Sequence, residues 1–154
     1  MYLLAAGAAV GLTAAPAHAD WQYAKWEMTQ QELVSASRGK AWAVTDTNRP
    51  FKFGLRVAES MATIDGQDFK VAFYGSGGVY NFGASSMNVP YKITNIRFEP
   101  GNNCESILDY LRGKYRNTSE TVGGEYRFAD GEDEIWYDPG YSRCSFRRFR
   151  KGRF

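Results

Sequence analysis

One histidine and two cysteines are all the imidazole and thiol that these 154 residues contain. The histidine, His18, stands inside a stretch that reads as a removable leader. Tyr2 through Ala15 is apolar without a charged side chain, and Pro16, Ala17, His18 and Ala19 supply the small-x-small pattern that a signal peptidase cuts. Cleavage after Ala19 would leave Asp20 as the first residue of a chain without imidazole. No Ser-His-Asp or Cys-His arrangement could then be built, and a zinc site would lack its usual ligands. Export also implies an oxidising compartment, in which Cys104 and Cys144 are expected to form one disulfide. The expectation is a periplasmic or secreted protein that is not an enzyme, with no catalytic residue, metal or cofactor.

Other absences narrow the class further. The leader has no Lys or Arg in its n-region, a charge that a start codon upstream of Met1 would supply. Its apolar run is shorter than the roughly twenty residues of a membrane span and is broken by Gly7, Gly11, Thr13 and Pro16. No cysteine follows it to accept a lipid, and no later segment is apolar enough to cross a bilayer as a helix. Internal repeats and low-complexity tracts are missing. So is a strong net charge: 19 basic against 17 acidic residues give +2, which selects no partner by itself. Nucleic acid is not an expected partner outside the cytoplasm.

What remains, residues 20–154, is the length of a single domain with one core. Thr29 and Glu32 have the spacing of a capping box, Met28 and Leu33 that of a hydrophobic staple, and Gly39 that of a helix stop, so a short first helix is expected. Strands are expected over Leu55 to Ile64 and Asp68 to Tyr74 around an Asp65-Gly66 hairpin turn, with Gly75 to Gly78 as a flexible turn and another strand from Tyr91 to Phe98. A second helix is expected from Asn102 or Asn103, because Cys104, Ile107, Leu108, Leu111 and Tyr115 recur at helical spacing. Turns at Asp130-Gly131 and Asp138-Pro139-Gly140 then separate strands near Glu125 to Phe128, Glu134 to Tyr137 and Tyr141 to Phe149. The expected fold is α+β, an antiparallel sheet of about five to six strands packed against two short helices and closed by one disulfide.

Three groups of residues invite a functional reading. Arg143, Arg147, Arg148, Arg150, Lys151 and Arg153 crowd the end of the chain among Phe146, Phe149 and Phe154, a composition suited to an anionic glycan or lipid. The same pattern fits a final strand with a solvated tail. Trp21, Trp26 and Trp136 are candidates for aromatic contact with a partner, against the alternative that they fill the core. Asp130, Glu132, Asp133 and Glu134 are the densest candidates for the carboxylate pair of a glycoside hydrolase; an ordinary solvated hairpin carries the same residues.

The run Trp26 to Leu33, the antiparallel strands, the cysteine-led helix Cys104 to Tyr115 and the late Cys144 resemble a group of small exported bacterial proteins. They are similar in plan to the SmpA/OmlA-like outer-membrane assembly lipoproteins and to proteinaceous beta-lactamase inhibitors. The chain departs from the lipoproteins in lacking a lipidated cysteine. The resemblance implies a non-catalytic scaffold whose partner is another cell-envelope protein.

Overall fold

Period-two alternation runs through most of the chain after Gly54, and strand is what it becomes. The computed structural model describes residues 21–44, 53–101, 106–115, 118–120, 123–142 and 144–152. In chain order the elements are α1 (Gln30–Ala36), β1 (Ala41–Ala43), β2 (Leu55–Ile64), β3 (Gln67–Phe82), β4 (Ser85–Pro100), α2 (Ile107–Lys114), β5 (Thr118–Glu120), β6 (Tyr126–Asp130), β7 (Asp133–Tyr137) and β8 (Phe146–Arg150). All eight strands join one antiparallel sheet in the order β1-β2-β3-β4-β8-β7-β6-β5. Two meanders thus meet at β4 and β8, with α2 between them in sequence.

The α+β expectation, with five to six strands, is corrected by this architecture. The described residues are mostly β: two helices of 7 and 8 residues accompany an eight-stranded sheet with two strands of 16. Two physical causes account for the miscount. β1 and β5 are three residues long, too short to show a period, and form only because a longer neighbour supplies hydrogen bonds. The flexible turn expected at Gly75 to Gly78 is interior to β3, which continues to Phe82 and turns at Gly83-Ala84 instead. Glycine is needed there for close approach between strands. A Cβ on Gly77 would lie 2.7 Å from the Pro90 carbonyl oxygen. The expected disulfide has no described geometry: Cys104 lies outside the described residues, and Cys144 precedes β8 instead of sitting within it. The expected leader, Met1 to Ala19, and the helix start at Asn102 to Glu105 also lie outside them.

The Asp65-Gly66 turn forms as its composition demands, with both residues at positive φ and Ile64 opposite Gln67. Thr29 caps α1: its Oγ1 accepts from the Glu32 N–H, and the Glu32 carboxylate accepts from the Thr29 N–H at 2.7 Å. Leu33 from α1 and Ile107 and Leu111 from α2 are buried together with Val71, Phe73, Ile96, Phe98, Phe128, Ile135 and Phe146. That is the main core, and it lies on one face of the sheet. Phe98 and Phe146 stack across β4 and β8 with centroids 4.9 Å apart, joining the two meanders at their seam. Among the described residues no helix is long and apolar enough to cross a membrane.

Candidate functional site

The opposite face carries no described helix, and one cross-strand row traverses it from β1 to β6. Trp42, Glu59, Ala72, Arg97, Arg147, Trp136 and Arg127 are successive register partners on β1, β2, β3, β4, β8, β7 and β6. Because side chains alternate, neighbours two residues along each strand, among them Met61, Lys70, Glu99, Phe149 and Glu134, share that face. Aromatic, arginine and carboxylate groups are therefore interleaved over one continuous surface.

At its centre Arg147 is buried, although sequence composition places it in a basic tail. Its guanidinium lies 4.1 Å from the Phe53 ring centroid and 4.5 Å from that of Tyr74, and it donates to Asn95 Oδ1 at 2.7 Å. Asn95 is itself buried and donates to the Phe53 carbonyl. Burial pushes the Arg147 pKa below the ordinary arginine value, and the like charge of Arg97 directly opposite acts in the same direction, against the Tyr74 hydroxyl. Contact of a guanidinium with aromatic rings is the arrangement that makes such burial tolerable. Phe53 also packs on Trp136, Phe149 and Tyr141, so a second, smaller apolar cluster sits on this face.

Around that centre the charges neutralise one another. Glu59 lies between Arg56 at 2.7 Å and Lys70 at 3.1 Å; Arg97 pairs with Glu99; Arg127 reaches Glu134 at 3.0 Å and Glu125 at 3.6 Å. The Nε atoms of Arg97 and Arg127 are buried without a hydrogen-bond partner among the described residues. Trp42 (44% exposed), Met61 (57%) and Tyr141 (54%) stand clear of this lattice. Of the four large hydrophobics that the described residues leave exposed, these three occupy the helix-free face; the fourth is Met87.

The residues singled out from sequence are distributed differently from their spacing. Of the basic terminal group, Arg147 is buried, and Arg148 on the helix-bearing face is held by Asp130 and Asp133. Arg150 and Lys151 are exposed, and Arg143 and Arg153 have no described side chains. A continuous basic strip is therefore not formed by the described residues. Trp21 is buried against Phe73 and Phe98; Trp26 is half-buried and donates its indole N–H to Asp133 at 2.9 Å; Trp136 is buried and donates to Glu125. The four carboxylates do not converge on one cleft. Asp133 is fully buried under α1's lead-in, Asp130 shares Arg148 with it, Glu134 pairs with Arg127 on the other face, and Glu132 occupies the exposed turn.

Sequence reasoning missed Trp42, Met61 and Tyr141. One signal was present: in β2, Met61 falls at the same parity as Glu59, so an apolar residue interrupts the polar face of the strand. Among the described residues no cluster of three or more His, Cys, Asp or Glu side chains is placed to hold a metal ion. No protein-family model, curated protein or solved structure matches the chain.

Proposed function

We propose that this chain is an exported, non-catalytic scaffold that binds another cell-envelope protein through the helix-free face of its sheet. The observation that carries the reading is the confinement of exposed Trp42, Met61 and Tyr141 to that face, beside a lattice of arginines and carboxylates. Tryptophan, tyrosine and arginine are the residues in which interface energy concentrates, and they serve best on a rigid support. Here the support is a sheet on which carboxylates and cations pair around the buried Arg147, so docking would leave few isolated ions to be desolvated. Export rests on the apolar leader pattern of Tyr2 to Ala19, and the scaffold role agrees with the resemblance drawn from Trp26 to Cys144.

The test is affinity capture from an envelope extract with the intact secreted chain and with a W42A/M61K double variant. Both positions are exposed, so the variant is expected to keep its fold by circular dichroism while retention of a specific partner falls at least tenfold. Equal retention by the two chains, or no partner that survives competition with untagged protein, defeats the reading.

A further inference from the structure

β3 and β4 outrun the rest of the sheet. Among the described residues, β2 pairs with β3 only as far as Leu55 opposite Gly75, and β8 pairs with β4 only from Asn95 onward. Beyond those points Ser76 to Tyr91 forms a two-stranded arm, paired with itself from Gly78–Val89 to Phe82–Ser85. Seven residues of β3 at about 3.3 Å each give it a reach of about 23 Å. Glu27 and Met28 hydrogen-bond to Ile93 at the arm's base, so the described lead-in to α1 ends where the arm begins.

From Val71 to Tyr91 no residue carries a formal charge, in a chain of which 23% is charged. Proteins normally guard a free strand edge with lysine, proline or an inward-pointing charge. Pro90, which stands on β4, and the register shift between Ser76 and Gly78 are the guards the arm carries; β3's outer edge from Ser76 to Phe82 has no lysine, proline or charged residue. At the root of the arm a cleft of about 480 Å³ is lined by Val44, Leu55, Val57, Pro90, Tyr91 and Gln30 among others, again without a charged residue. Gln30 is already committed there, donating to the Val44 and Val57 carbonyls.

We infer that the arm pairs with the arm of a second copy of this chain, β3 against β3 in antiparallel register about a two-fold axis. The geometry of such a pair is reciprocal: running antiparallel, each arm brings its tip to the root of the other, where the cleft opens. Tip and cleft match in the property that separates both from the remaining surface, the absence of charge, and no like charges meet along the shared edge. The pairing also relieves the weakness of an isolated ribbon, since two strands alone are marginal in water. Met87, 52% exposed near the tip, is the side chain that the partner copy would cover.

Sedimentation equilibrium of the intact chain tests this. A monomer–dimer equilibrium is expected, with Met87→Lys weakening it at least tenfold and Met61→Lys, on the helix-free face, leaving it unchanged. A photoreactive p-benzoylphenylalanine replacing Met87 is expected to cross-link two chains, the label landing in the peptide around Gln30 or around Leu55 to Val57. A chain that stays monomeric up to its solubility limit overturns the inference, as does a dimer indifferent to Met87→Lys or a cross-link placed elsewhere. The arm test and the capture experiment use different surfaces, so either can fail alone.

Discussion

Asp133 shows how a residue read as surface chemistry becomes structure. It is fully buried, yet both carboxylate oxygens are satisfied: one accepts from the Trp26 indole and the other from Arg148, which also reaches Asp130. A buried carboxylate so held ties the segment before α1 to β7 and β8, and removing it would strand two donors. Tyr115 reports burial through its acidity. Desolvation, reinforced by Asp130, pushes its pKa up to about 12 from an ordinary value of 10.0. The native state therefore retains the phenol proton where the unfolded chain has lost it, so the contribution is complete below pH 10 and declines as pH rises toward 12. Thermal melts between those limits are expected to show a falling midpoint, and Tyr115→Phe, which has no proton to lose, is expected to make the fall shallower. An identical slope in the variant would refute this assignment.

At the scale of elements, α1 is legible almost residue by residue. A seven-residue helix cannot persist alone, and its capping box and Leu33 compensate by satisfying its first amides and anchoring it in the core. The Thr29 contacts hold the Glu32 pKa below the ordinary glutamate value, so this part of the cap is complete above the usual carboxylate range and lost as pH falls through the depressed value. Thr29→Ala is expected to cost about 1 kcal/mol by denaturant titration at neutral pH. A change indistinguishable from zero would mean the helix is held by packing alone. The arm was not legible. Gly75, Ser76, Gly77 and Gly78 have turn composition, and the feature that makes them strand is the β4 backbone from Pro90 to Lys92, against which Gly75 and Gly77 lie, well over ten residues away in sequence. Glycine at a turn and glycine at a close strand crossing are the same letter serving two geometries.

The whole molecule depends on a single seam. β8 lies between β4 and β7, so strands from distant parts of the chain must meet before either meander is complete. Phe146 sits at that seam, stacked on Phe98 and edge-on to Phe69. Phe146→Ala is expected to cost about 3–5 kcal/mol. The loss should appear as one transition, coincident by far-ultraviolet dichroism and tryptophan fluorescence, since both meanders share the core. Two separated transitions would show that the halves fold independently.

Some properties follow from the order of residues alone. The scarcity of imidazole and thiol, the capping box of α1, the Asp65-Gly66 turn and the alternating strands of the central sheet are local, set by chain chemistry within a few residues. Tertiary structure decided the rest. Whether Arg147 is a tail cation or a buried guanidinium against two rings depends on Phe53 and Tyr74, which lie more than seventy positions from it in the chain. The same holds for Asp133, for the row from Trp42 to Arg127 and for the arm's edges, unpaired among the described residues, because strand neighbours are assigned by sheet order, and sheet order is a choice among non-local pairings that no short window of residues contains.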